Sequence, residues 1–170
     1  MNLLRRLFTP IPDPRETLGP LWQAVVAEAR RPEWYRAGVE DTVAGRFDMV
    51  TAVLSAVLLR MERHPDLVAP SALLTELFIH DMDGQLRELG IGDVVVGKHV
   101  GRLMGAMGGR LTAYRDGLAG DVESLVGVVR RNVTLTEGGD AAVIAAGLSA
   151  VAVRLDRTAD TGLLAGKLAA

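Results

Sequence analysis

The chain has 170 residues, no cysteine, few aromatic residues and a formal net charge of -2. That length suits one domain that folds without staples. The missing cysteines exclude disulfides and thiolate metal sites, and the near-neutral charge gives no footprint for bulk nucleic-acid binding.

The N-terminal stretch MNLLRRLFTPIPDP lacks the long apolar core and small-residue cleavage site of a secretory signal. Residues 1–17 read as a flexible basic-apolar arm, either a disordered tail or a segment that docks on a membrane surface or a partner through Leu3, Leu4, Arg5, Arg6, Leu7 and Phe8. Residues 18–170 read as one helical domain. A first helix spans Leu18–Arg30 and stops at Pro32. In the loop Glu33–Glu40, Trp34 and Tyr35 either clamp the connector to the core or bind something. A long helix runs from Asp41 or Thr42 to Arg63, with Phe47, Val50, Leu54, Val57, Leu58 and Met61 in its apolar stripe. Gly45 in its first turns costs about 1 kcal/mol against alanine, so some group must approach closely there. The uncharged runs Met49–Leu59 and Ala141–Val153 are shorter than the about 20 residues of a membrane-crossing helix and read as buried helices.

Ser71 is the expected cap of a third helix with Leu74, Phe78, Met82, Leu86 and Leu89 on one face. Gly90 supplies the left-handed residue that ends it. Asp93 is the expected cap of a fourth helix, reaching about Asp116, whose stripe is Val96, Val100, Leu103, Met107, Leu111 and Tyr114. The two form a helical hairpin with a charged elbow. Gly97, Gly101, Gly105 and Gly109 recur every four residues along the fourth helix, beside Gly108. Such a stripe fits a close internal crossing or a groove left open for a partner helix. A fifth helix starts at Gly120-Asp121 and ends near Arg131-Asn132, Thr134–Asp140 is a loop, Asp140 caps a sixth helix to about Arg157, and Asp160 caps a short last one. No stretch alternates as a strand. The expected fold is therefore all-α: a single compact domain of about six to seven helices with a central helical hairpin.

Chemistry is thin. His80-Asp81 is a pair used by metal-dependent phosphohydrolases, but His64 and His99 are poorly placed to join it, and Asp81 and Asp83 lack the helical spacing that brings ligands together. Asp83 instead suits a pair with Arg87, one turn on. Asp-Met-Asp-Gly is not a calcium loop, no phosphate loop is present, and no nucleophile–histidine–acid set can be assembled. No catalytic residue, metal or cofactor is expected. A metal or small-ligand site at His80, Asp81 and Asp83 is the alternative; a further one, an interaction module of a membrane-bound respiratory complex, comes only with the family resemblance given next. Lys98, Arg102 and Arg110 make a basic set on the fourth helix, either solvated or facing a client chain.

Three blocks carry a family resemblance. The first is Ala29-Arg30, Pro32-Glu33-Trp34-Tyr35, Gly38-Val39-Glu40-Asp41-Thr42 and Gly45-Arg46-Phe47-Asp48. The second is Asp81-Met82-Asp83, Leu86-Arg87-Glu88-Leu89-Gly90-Ile91-Gly92-Asp93, Val96 and Lys98. The third is Gly109-Arg110, Tyr114 and Arg131-Asn132. In this order and spacing the chain resembles the ubiquinol–cytochrome c chaperone family, in its alphaproteobacterial form. It departs from the family at Ala52-Val53 (commonly Leu-His), Gly97 (commonly Pro), Gly108 (often aromatic) and Asp41 after Glu40 (commonly Pro-Asp). The resemblance implies a non-enzymatic chaperone for newly made cytochrome b in the assembly of respiratory complex III. It also implies a cytoplasmic site of action, with contacts to the ribosome exit region, a small partner protein or the inner membrane face left open. On this reading the client surface comprises Asp83, Arg87, Glu88, Asp93, Lys98, Arg102 and Arg110. Structural roles fall to Asp41, Thr42, Gly45, Arg46, Phe47, Asp48, Leu86, Gly90, Gly92, Tyr114 and Asn132.

Overall fold

The computed structural model describes residues 13–88 and 93–168, with side chains between 85 and 104 not described. Helices α1 (Gly19–Ala29), α2 (Pro32–Arg36), α3 (Val43–Glu62), α4 (Val68–Glu88), α5 (Asp93–Ala119), α6 (Val122–Asn132), α7 (Ala141–Arg157) and α8 (Asp160–Leu164) follow in order. Among the described residues there is no strand, and one isolated antiparallel bridge joins Val39 to Leu135. The protein is an all-helical single domain.

The centre is α3, which packs against α1, α4, α5 and α7. Fourteen of its twenty residues are buried, so the helix is enclosed rather than merely one-sided. Enclosure requires its hydroxyls to be satisfied locally. Thr51 donates to the Phe47 carbonyl at 2.8 Å and Ser55 to the Thr51 carbonyl at 2.7 Å. Gly45 meets the close approach its position demands: a Cβ there would lie 2.0 Å from the Glu40 carbonyl oxygen. Thr42 caps the helix by accepting from the Gly45 N–H at 3.2 Å.

Trp34 is a clamp. It is buried, its indole donates to the Glu28 carbonyl at 2.8 Å, and a Cβ on Gly147 of α7 would lie 2.5 Å from its ring. The connector itself differs from the expected loop, because Pro32 at the first helical position and Glu33 in the first turn start the single-turn helix α2. Asp121 and Asp140 cap α6 and α7 as expected.

Three local expectations are corrected. Ser71 does not cap α4: a 3-10 turn over Pro65–Leu67 leads the chain into helix at Val68, and Ser71 donates back to the Val68 carbonyl. Asp160 does not cap α8, because its carboxylate is taken by the buried Arg60 guanidinium at 2.7 Å and by His64 at 3.2 Å. The run Ala141–Val153 is only half buried, with Val143 and Val153 exposed, since one face of α7 meets solvent.

Leu74, Phe78 and Met82 of α4 and Met107 and Tyr114 of α5 are buried as their spacing predicts. Gly90, Gly92, the charged hinge turn and residues 1–12 of the arm lie outside the described residues. Among the described residues no helix is long and apolar enough to cross a membrane.

Candidate functional site

Where α3, α5 and the end of α6 meet, an open cleft of ≈ 370 Å³ forms. Its apolar lining is Ala44, Phe47 and Val133; its polar lining is Asp48, Arg110, Arg131, Asn132 and Thr134.

Asp48 organises it. Phe47 and Asp48 sit on adjacent positions of α3, at the edge of its buried surface. The Asp48 carboxylate is buried. One oxygen lies 2.6 Å from an Arg110 guanidinium nitrogen, and the other accepts from the Thr134 N–H at 2.9 Å and the Thr134 hydroxyl at 2.7 Å. The Arg110 contact is close enough for an ion pair, but this nitrogen, Nη1, is buried and not aligned for a hydrogen bond. A carboxylate taken out of water needs such partners.

Thr134 is held in turn by backbone pairing between two connectors. Glu40 N–H donates to the Thr134 carbonyl at 3.0 Å and Thr136 N–H to the Gly38 carbonyl at 2.8 Å. Gly38 has φ +105°, which an L side chain rarely adopts, and a Cβ there would meet the Gly139 backbone at 2.3 Å.

Arg110 lies over the Phe47 ring, 5.3 Å from its centroid. Phe47 leans on Phe78, and Phe78 on Trp22, each pair 6.1 Å apart. This aromatic series runs from α1 through α4 to the cleft floor and fixes where the guanidinium stands. Tyr114, one turn beyond Arg110, is buried, and its hydroxyl has no hydrogen-bond partner among the described residues. Burial pushes its phenol well above the usual range.

Arg131 is exposed at the rim, with no ion-pair partner among the described residues. Asn132 donates from its amide to the Val128 carbonyl at 2.9 Å and closes the last turn of α6.

The structure thus brings together Phe47, Asp48, Arg110 and Asn132 from the sequence-predicted set, with Gly45 and Tyr114 close by in chain. Asp41 and Arg46 instead pair with each other at 2.6 Å near the surface. Their pairing hydrogen bond holds the Asp41 carboxyl below its ordinary value. Asp83 is half-buried on α4. Leu86, Arg87, Glu88, Asp93, Lys98 and Arg102 lie on the last turn of α4 and the first half of α5, where side chains are not described. His80 is exposed, and no group of three His, Cys, Asp or Glu side chains among the described residues could hold a metal ion. Of the glycine stripe, a Cβ at Gly105 or Gly109, as at Gly108, would meet nothing within 4 Å among the described residues, so that part of α5 makes no close crossing with them. Val53, where the family commonly has histidine, is fully buried in α3.

Sequence reasoning missed Ala44, Val133 and Thr134 as lining, and gave Arg131 no role. Thr134 carries no motif of its own; the only signal was Arg131-Asn132 just before it.

Fold and site together define an all-helical protein whose candidate site is a small polar cleft built around a buried ion pair. The family model for the ubiquinol–cytochrome c chaperones matches residues 36–170. The crystal structure of the Cbp3 homolog from Brucella abortus is similar, with a TM-score of 0.78 and 31% sequence identity over 89% of this chain and 86% of that one. No curated protein matches. The chain belongs to the ubiquinol–cytochrome c chaperone family, which ties it to the assembly of ubiquinol–cytochrome c reductase.

Proposed function

We propose that this protein is a non-enzymatic assembly chaperone that holds newly made cytochrome b until ubiquinol–cytochrome c reductase is built. The observation that carries the reading is the family match over residues 36–170, supported by the gathering of Phe47, Asp48, Arg110 and Asn132 at one cleft. An apolar client segment needs a surface to cover it, and a helix laid in a groove is a common solution. The client surface of this reading is the α4–α5 hairpin: Asp83, Arg87, Glu88, Asp93, Lys98 and Arg102, continuing along the open Gly105–Gly109 face to Arg110. No metal or cofactor enters the reading. It acts at the cytoplasmic side, with residues 1–17 as an arm for peripheral membrane contact and residues 18–170 as the chaperone domain. The ribosome exit region and a small partner protein are the further contacts this reading leaves open.

The test is complementation in a host lacking the gene, read by reduced-minus-oxidised spectra of the b-type haems and by quinol–cytochrome c reductase activity. Loss of both, restored by the wild-type chain, is the expected result. A normal complex in the null host refutes the function. Charge reversal at Arg87 and Lys98 that leaves fold and client capture intact refutes the assigned surface.

A further inference from the structure

The cleft beside Asp48 has a charge it does not use internally. Asp48 is the one carboxylate among the described residues of its lining, and both its oxygens are engaged by Arg110 and Thr134. Two arginines line the cleft against it; the Arg131 guanidinium lies back beside Gly127, one turn earlier on α6, with no ion-pair partner among the described residues. Arg110 spends one nitrogen on Asp48 and keeps a fifth of its side chain exposed. A guanidinium carries five N–H donors in a planar fork, so most of those of Arg110 remain for a second acceptor.

The surroundings favour using them. The Phe47 ring lies against the guanidinium on one side, and Asp48, itself held by Thr134, pairs with it from another. Little ordering is left for a ligand to bring about, which removes part of the cost of binding. The apolar share of the lining, Ala44, Phe47 and Val133, suits the methylene groups next to an anionic head. The volume of ≈ 370 Å³ admits a side chain with adjoining backbone, not a whole helix.

We infer that this cleft is an acidic-residue receptor: it takes one carboxylate-bearing side chain of a partner polypeptide, with Arg110 as the fixed fork and Arg131 as the closing rim charge. The inference rests on the client-binding reading and deepens it by giving it a specific anchor at the Arg110 end of the hairpin face. It predicts that a partner segment docks with an aspartate or glutamate among apolar residues. A neutral amide in its place loses the charge-assisted bonds, which are about twice as strong as neutral ones.

The test uses the full chain, labelled with nitrogen-15, and two peptides, acetyl-Ala-Leu-Glu-Leu-Ala-amide and its glutamine counterpart. The glutamate peptide should shift the Arg110 and Arg131 Nε–H resonances and the Thr134 amide saturably, and bind at least about tenfold tighter than the glutamine peptide. Arg131→Gln, at an exposed position, should leave the remaining spectrum in place and bring the glutamate peptide down toward the glutamine level. Equal binding of the two peptides, shifts outside the cleft, or unchanged glutamate binding by Arg131→Gln would overturn the inference. Sodium acetate saturating the same resonances as tightly as the peptide would overturn the polypeptide as ligand. The measurement is made on purified protein, so its failure is distinct from a failure of complementation.

Discussion

Replacing Asp48 by asparagine keeps the shape of the side chain and removes its charge. The amide oxygen can still accept from Thr134, where the N–H and hydroxyl stand at 2.9 and 2.7 Å. The amide nitrogen then faces the Arg110 nitrogen that was 2.6 Å from a carboxylate oxygen, donor against donor. Removing one partner of a fully buried pair costs about 3–5 kcal/mol. Arg110 keeps 21% of its side chain exposed, so water recovers part of that, and about 2–3 kcal/mol is expected. Arg110→Met removes the other partner and leaves the carboxylate buried on Thr134 alone, with a similar loss. Because each change breaks the same contact, the double variant should fall short of the summed losses by about 1–3 kcal/mol. Urea unfolding at constant m measures all four corners of the cycle, and the Thr134 amide should exchange faster with solvent in Asp48→Asn. Single losses within about 0.5 kcal/mol of zero, or additive losses, would refute the account of Asp48 as the post that fixes Arg110.

The glycines should respond with opposite signs. Gly45→Ala places a methyl 2.0 Å from the Glu40 carbonyl oxygen and should lower stability by about 1–3 kcal/mol, whereas Gly105→Ala meets open space and should raise it by up to about 1 kcal/mol; equal signs in urea unfolding would contradict the packing described. Gly147→Ala would put a methyl 2.5 Å from the Trp34 ring and should unseat the clamp, read as a red-shifted and more quenchable tryptophan emission. Asp121 accepts from the Ser124 hydroxyl and N–H, the hydroxyl bond being the larger influence, and its carboxyl is held below the ordinary 3.8. Its native value being depressed, its contribution to stability is complete above the unfolded value and is lost as pH falls below about 3.8 through the native one. A carboxyl-carbon titration should place its midpoint under 3.8, and Asp121→Asn should remove that part of the acid dependence.

Much of the fold was legible because helices are local objects. Period, caps and stops lie within a few residues of one another, so α1, α3, α6 and α7 fall within a few residues of their expected bounds. One error arose where a distant group outbid a local one. Asp160 has the look of a cap, but Arg60, 100 residues away in chain, takes its carboxylate. Pattern alone also could not distinguish the half-buried run of α7 from the enclosed run of α3, because enclosure depends on how many neighbours surround a helix, not on its own composition.

The sequence by itself determined an all-helical chain, the need for close approach at Gly45 and, through its motif blocks, the family. Tertiary structure alone decided the cleft. Asp48 and Thr134 are 86 residues apart, on a helix and in a connector, and nothing in local pattern pairs them. Their meeting follows from the seating of α3 at the centre and from the backbone bonds that hold the Gly38–Glu40 connector to Thr134–Thr136. A buried carboxylate draws donors from whatever segments the packing delivers, so the packing chose Arg110 and Thr134 for Asp48 and left Arg131 facing outward.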